Sequence, residues 1–374
     1  MNRAIIAVAG AGKTEELSTS ICSEPNPKRV LVLTYTERNQ REIAARIAQK
    51  STGAKKAPDT MGWMAFLLNQ IIRPYLPALY PNVQLRGLGK DPANLNRLSG
   101  ARRYFNRHGD AYPGFLAKLA VDITTQTKKA PIKRLEKIYD SIYIDEAQDL
   151  CANDLVIIEK LLKSKIQVTL MLDPRQSVLQ TTERDSKYKS YRRIGISLFF
   201  RELEQKGVCC IEERLETHRF IPSIAALSDA IIPAVFGFAK TISRVPEDAR
   251  HSGVFILSKA NASSYVHEHS ATVLRISVRA GSIEGAEVAN FGECKGMSRD
   301  HVLVLATKPI EKALMGQKEL EGKSLCGFYV AITRARYSVA IAVDNPEKVI
   351  AYMKTPGSRF AHINIQKWVP NSSD

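Results

Sequence analysis

Cysteine is sparse in this chain of 374 residues, with only six. Cys22, Cys151, Cys209, Cys210, Cys294 and Cys326 form no CxxC pair, and the vicinal Cys209 and Cys210 have poor geometry for a local bridge. That spacing excludes a disulfide framework and gives no zinc-finger pattern, since the pair His267-x-His269 has no CxxC to join it. Long apolar runs are missing too. A spanning helix needs about 20 such residues, and the nearest stretch, Ile224 to Ala239, is broken by Ser228, Asp229 and Pro233. No small-residue cleavage site precedes the glycine-rich loop near the N-terminus, so a signal peptide is not expected and the expected location is cytoplasmic. There is no internal repeat and no low-complexity tract. Only the tail, 370–374, is expected to fray. Negative charge is short as well: 38 Asp and Glu stand against 54 Lys and Arg, for a net charge of +16. Such an excess biases a protein toward polyanions, and without a spanning segment nucleic acid leads that class.

What is present reads as a globular chain of two to three compact domains, 44% hydrophobic and 25% charged. Apolar runs at Ala4–Ala9, Val30–Thr34, Ser141–Ile144 and Val168–Leu172 have the length and bounds of buried strands, and a polar helix is expected from Glu37 to Gln49. Strands alternating with helices imply a parallel sheet, with ligands bound at the strands' carboxyl ends. From Leu76 to Pro131 the pattern changes to short helical pieces with scattered basic residues, among them Arg102, Arg103 and Arg107, as in an insertion. Beyond residue 190 a second α/β unit is expected, with strands at Ala271–Val278, Val302–Ala306 and Ser338–Val343. Asp185–Arg193 reads as a basic loop carrying Tyr188 and Tyr191.

Two strand ends carry chemistry. Ala7–Thr14, AVAGAGKT, puts small residues between a strand and a helix, so that backbone N–H groups at Gly10, Ala11 and Gly12 can wrap a phosphate chain. Lys13 is placed to reach the β- and γ-phosphates and Thr14 to ligate Mg²⁺. The first position of the GxxxxGK[ST] pattern is Ala7 rather than Gly. The strand at Ile142–Ile144 leads into Asp145-Glu146. There Asp145 suits the metal ion and Glu146 the activation of an attacking water. An acidic helix start would explain the charge, but not its occurrence downstream of a phosphate loop.

With these and five further segments the chain resembles the UvrD/Rep/PcrA type of superfamily 1 helicase, motif by motif and in order. VLVLTYTERNQ (Val30–Gln40) resembles motif Ia, which implies strand contacts from Thr34 and Tyr35. DTMGW (Asp59–Trp63) resembles motif Ib weakly, with Thr60 as its threonine. YIDEAQD (Tyr143–Asp149) matches motif II. LDPRQS (Leu172–Ser177) resembles motif III and puts Gln176 at the γ-phosphate-sensing glutamine. LETHR (Leu215–Arg219) resembles motif IV, with His218 stacking on adenine and Arg219 as an arginine finger. CKGM (Cys294–Met297) resembles motif V, placing Lys295 on the nucleic acid and Gly296 by the nucleotide. YVAITRA (Tyr329–Ala335) matches motif VI, with Arg334 as the second finger. The resemblance implies two RecA-like (P-loop NTPase) parallel-sheet domains in an α/β fold: 1–75 with 138–190 as the ATP domain, 76–137 as a small helical 1B-like insertion, and 191–374 as the second domain. It also implies ATP and Mg²⁺ as ligands, single-stranded or partly duplex DNA as partner, and 3′-to-5′ movement.

The departures from that pattern narrow the reading. No room is left before Lys13 for an upstream adenine-reading glutamine motif. Glu15 replaces the usual arginine, and Gly292 and Ser298 stand where motif V carries His and Glu. Leu179 and Thr181 replace the base-stacking aromatics after motif III, so stacking falls to Tyr188 or Tyr191. Only about 75 residues separate Arg219 from Lys295, which leaves no space for a large 2B-type insertion. Short chains of this kind are similar to the helicase subunit that accompanies an OLD-family nuclease in Gabija-type anti-phage systems. Three readings follow: a DNA translocase, a nucleotide-sensing ATPase that regulates a partner nuclease, and an RNA-directed helicase, since phosphate grip does not read the 2′-hydroxyl.

Overall fold

The computed structural model describes residues 1–23, 29–50, 57–247 and 250–370; residues 371–374 of the expected fraying tail lie outside the described residues. The first sheet is built from β1 (Arg3–Ala7), β2 (Val30–Thr34), β3 (Asp59–Gly62), β4 (Ser141–Ile144), β5 (Gln167–Leu172) and β6 (Cys210–Arg214), in the order β3-β2-β4-β5-β1-β6. From β3 across to β1 every pairing is parallel. All five residues of β2 and all four of β4 are buried, as a sheet covered on both faces requires. Between strands run α1 (Lys13–Ser23) and α2 (Glu37–Lys50). Leu17 and Ile21 of α1, and Ile43 and Ile47 of α2, are spaced four apart. Each pair falls on one helix face and packs with Ile5, Val32, Tyr143 and Met171.

A short parallel pair, β7 (Glu216–Thr217) and β8 (Ile242–Ser243), precedes the second sheet. That sheet holds β9 (Gly253–Ser258), β10 (Thr272–Arg275), β11 (Val288–Asn290), β12 (Arg299–Leu305), β13 (Ala335–Val343) and β14 (Ile365–Lys367). Its order is β11-β10-β12-β13-β9-β14, again parallel throughout. One of its cores joins Phe255, Leu257, Tyr265, Val273, Leu303 and Trp368. The fold is thus α/β, with two separate six-stranded parallel sheets, as the sequence implied.

The described chain divides into two compact units. The first comprises Met1–Ala7, Lys13–Pro174 and Gln180–Glu213; the second comprises Val8–Gly12, Arg175–Leu179 and Arg214–Asp374. The sequence sets the start of the second domain at 191; in the structure the helix Ile196–Gln205 belongs to the first unit, and β6 lies beside β1 at the edge of the first sheet. The segment 76–137 is short-turned as expected, with 3₁₀ turns at Leu76–Ala78, Leu95–Arg97, Gly100–Arg103 and Pro113–Phe115 before the helices Leu116–Gln126 and Ala130–Ile138. The strand expected over Ala271–Val278 stops at Arg275, and Val278 opens a 3₁₀ turn. The stretch from Arg219 to Lys295 is taken up by the helices Pro222–Ala230 and Ala262–His269 and by strands β8 to β11. No helix among the described residues is long and apolar enough to cross a membrane.

Candidate nucleotide and strand site

The phosphate-loop segment has the expected strand–loop–helix form: β1 ends at Ala7 and α1 starts at Lys13. Gly10 and Gly12 take φ of +80° and +78°, a region open to glycine at little cost. Gly10 is fixed a second way. A Cβ there would lie 2.6 Å from both the Arg219 Cβ and the Thr217 Oγ1. Thr217 donates its hydroxyl to the Ala9 carbonyl at 2.8 Å, and the His218 N–H donates to the Gly10 carbonyl at 3.2 Å. The motif IV-like residues therefore hold the loop through its carbonyls, and the His218 side chain stays exposed. Lys13 and Thr14 are half-buried at the head of α1, and neither side chain hydrogen-bonds to any described residue. A helix start with unengaged Lys and Thr side chains, after a loop too tight for a Cβ, fits a phosphate chain with its metal ion.

Asp145 and Glu146 follow β4 as expected. Asp145 is 3% exposed, and its N–H extends the pairing with β2 by donating to the Leu33 carbonyl at 2.9 Å. Glu146 has φ of +55°, an uncommon conformation for a non-glycine residue and one that tends to mark functional turns. Gln148, which the sequence reading left without a role, holds this turn. Its Nε2 donates to the Glu146 carboxylate, while its Oε1 accepts from the Asp173 N–H at 3.1 Å. The signal was in the YIDEAQD segment, two residues past the acid.

In the second unit the structure brings together two residues that separate motifs singled out. The Arg334 Nη2 donates to the Gln176 Oε1 at 3.1 Å across 158 residues of sequence. Arg334 is 1% exposed. Its Nε donates to the Val330 carbonyl at 3.1 Å, and its Nη1 donates to the Met297 carbonyl at 3.3 Å. Segments resembling motifs III, V and VI thus meet on one guanidinium. Next to it, Arg175 lies with its guanidinium 5.0 Å from the Phe238 ring centre and 5.3 Å from that of Tyr329. The Tyr329 hydroxyl accepts from the Ala9 N–H at 3.4 Å. Cys294 is buried, and that burial pushes its thiol up to about 11, so it stays protonated. Gly296 is exposed with φ of +87°, and Lys295 beside it is half-buried.

Of the expected strand contacts in the first unit, Tyr35 is half-buried and donates its hydroxyl to the Gln180 carbonyl at 3.2 Å. Thr34 is 1% exposed and donates to the Thr36 carbonyl at 3.1 Å, so its hydroxyl shapes the turn. Thr60 lies on β3, and its carbonyl accepts from the Gln40 Nε2 at 3.0 Å.

Thr181, at the position of a missing aromatic, is buried and donates to Asp154. Asp154 also accepts from the Trp63 Nε1 at 2.6 Å and the Cys151 N–H at 3.2 Å. Burial raises its carboxyl to about 6 against the pull of these donors. This polar knot stands where the resemblance puts a base platform. Tyr188 and Tyr191 stack on each other, centres 5.5 Å apart, and Tyr191 packs on Phe199 at 5.6 Å. Arg192 of the same loop is anchored to Gln180 and to the Thr182 carbonyl, both at 2.9 Å.

No protein-family model matches this chain, and no curated protein does. Solved structures similar to it include the arterivirus nonstructural protein 10 helicase, at 12% identity and a TM-score of 0.48, covering 93% of this chain and 61% of that one. The complex of arterivirus nonstructural protein 10 with DNA is similar at 11% identity and a TM-score of 0.48, covering 94% of this chain and 63% of that one. The chain spans less than two thirds of the length of those helicases.

Proposed function

We propose that this protein is an ATP-driven motor of the superfamily 1 helicase type that moves on single-stranded DNA. The observation that carries the reading is the Gln176–Arg334 hydrogen bond of 3.1 Å: two residues far apart in sequence, each assigned to the γ-phosphate on its own motif, are joined. In this reading the loop Gly10–Gly12 and Lys13 hold the phosphates of ATP. Mg²⁺, held by Thr14 and Asp145, neutralises charge on the β- and γ-oxygens when bound. Glu146, aimed by Gln148, takes a proton from water as that water attacks the γ-phosphorus, and ADP departs with the electrons of the broken P–O bond. Arg219 and Arg334 offset charge developing on the transferred group, and Gln176 reports its loss. His218 stacks on the base, and Gly296 approaches the nucleotide. Tyr35, Thr34, Thr60 and Lys295 serve the strand, whose grip through backbone and stacking tolerates any sequence.

The 3′-to-5′ direction, an OLD-family nuclease partner and a role in phage defence belong to this proposal through the motif resemblance. A second reading, an ATPase that senses nucleotide and governs a nuclease without processive unwinding, is favoured by the buried Thr181–Asp154 knot in place of a base platform. Steady-state ATP hydrolysis with and without single-stranded DNA separates them. The motor predicts stimulation of at least tenfold that fades steeply with salt. Nucleotide binding with no stimulation by any strand would replace it with the sensor.

A further inference from the structure

Within the first unit, the segment 82–112 encloses a cavity of about 750 Å³, inside the size range of small-ligand pockets. Its construction starts from a turn. The Asn106 Oδ1 accepts from the N–H groups of His108 at 2.8 Å and Asp110 at 2.9 Å, and its Nδ2 donates to the Asp110 carboxylate at 2.8 Å. Gly109 takes φ of +86°, and a Cβ there would lie 2.1 Å from the Gln84 carbonyl oxygen. This lets the preceding strand close in. The Arg86 N–H donates to the Gly109 carbonyl at 3.1 Å, and the Ala111 N–H donates to the Gly87 carbonyl at 2.8 Å. Beneath lie Phe105 and Tyr112, both buried, with Phe105 held edge-on by Tyr80 at 5.7 Å.

Three arginines line this cavity, Arg86, Arg102 and Arg107, together with His108, and no carboxylate does. The neighbour Arg103 shows what a structural arginine looks like here. It donates its Nε to the Leu98 carbonyl at 2.9 Å and lies over the Phe115 ring at 5.5 Å. Arg102, one residue before it, does neither. The Arg107 Nε donates to the His108 Nε2 at 3.1 Å, which makes that nitrogen an acceptor and leaves the outer nitrogens of the guanidinium open. Elsewhere in the protein exposed arginines meet carboxylates: Arg29 meets Asp140 at 2.8 Å, Arg46 meets Glu42 at 2.9 Å, and Arg299 meets Glu287. Among the described residues none of Arg86, Arg102 and Arg107 forms an ion pair. Like charges lining one concavity repel, and packing gives no reason to gather them. Guanidinium forks match the oxygens of a phosphate.

We propose that this cavity is a second phosphate-ester site, separate from the phosphate loop. It takes one nucleotide unit, its phosphate on Arg86, Arg102 and Arg107 and its less polar part against Phe105 and Tyr112. The same chemistry comes from a free nucleotide or from one unit of a nucleic-acid strand, and the site stands whether or not the protein is a motor.

The test measures anisotropy of fluorescein-labelled adenosine monophosphate and of a labelled short oligothymidylate. All proteins carry Lys13→Ala, so that the phosphate loop contributes nothing. Adding Arg86→Ala, Arg102→Ala and Arg107→Ala together should weaken binding of at least one probe tenfold or more. For the oligothymidylate it should also flatten the dependence of log K on log salt by about 2, from roughly 0.7 per lost phosphate contact. Loss for the mononucleotide assigns the site to a free nucleotide, and loss for the oligothymidylate alone assigns it to a strand. Unchanged affinity for both overturns the proposal. If the triple variant melts early, Arg102→Glu alone, an exposed change, must produce the same tenfold loss, and its failure to do so overturns the proposal equally.

Discussion

Lys13 and Arg334 are both cations assigned to the phosphates of one nucleotide, yet the fold treats them oppositely. Lys13 heads α1 half-buried, with no described hydrogen-bond partner. Arg334 is 1% exposed and bonded to Val330, Met297 and Gln176. The first is charge left available for a ligand at little cost to stability. The second is a buried hub whose loss strands several carbonyls. A motif gives both residues the same rank; burial and partners separate a binding group from one that also builds the unit it sits in.

The sharpest way to break this contrast is to measure activity and stability together. Lys13→Ala should lower turnover by a factor of about 10²–10³, the scale for removing one preorganised donor to developing charge, with the melting temperature unchanged. A parallel drop in melting temperature would make Lys13 structural. Arg334→Ala should cost about 2–4 kcal/mol through unpaired buried groups, lowering the melting temperature by roughly 5–15 °C as well as abolishing turnover. An unchanged melt would put Arg334 in the same class as Lys13. Gly10→Ala comes next. It meets Arg219 and Thr217 at 2.6 Å and should destabilise by about 1–3 kcal/mol while weakening ATP binding, both read from melts with and without nucleotide.

The smallest effect concerns pH and lies far from the motifs in sequence. The His251 ring stacks on His269 at 3.6 Å and on Phe255 at 4.3 Å, and its Nε2 bonds the Tyr265 hydroxyl at 2.9 Å. Burial, then the nearby His269 and His301, pushes it from 6.5 down to about 4; burial lowers His269 and His301 too. The unfolded chain therefore takes up these protons first as pH falls. For His251, stability is complete above pH 6.5 and is lost between there and about pH 4. Melts should fall from pH 7 to pH 5, and His251→Phe should shrink that fall. An equal fall in the variant would assign the effect to other groups.

Much of the first sheet was legible. The bounds of β2 and β4 match the apolar runs to the residue, because both strands are buried on both faces and flanked by polar turns. Edge strands β11 and β14, of three residues each, have too little length for a pattern. The glycine loop, the acid pair and Gln176 could be read because strand ends and motif spacing are local. The depth of Arg334, the hold of Gln148 on Glu146 and the Thr181–Asp154 bond could not, since each depends on which distant segment comes to lie alongside.

The most direct test of the account is ATP binding and single-turnover hydrolysis by Glu146→Gln. The account predicts that this variant binds ATP as tightly as the parent and holds it unhydrolysed, because the phosphate loop is intact and the proton acceptor is gone. Hydrolysis at near the parent rate would contradict the assignment of the acid pair and the motor built on it.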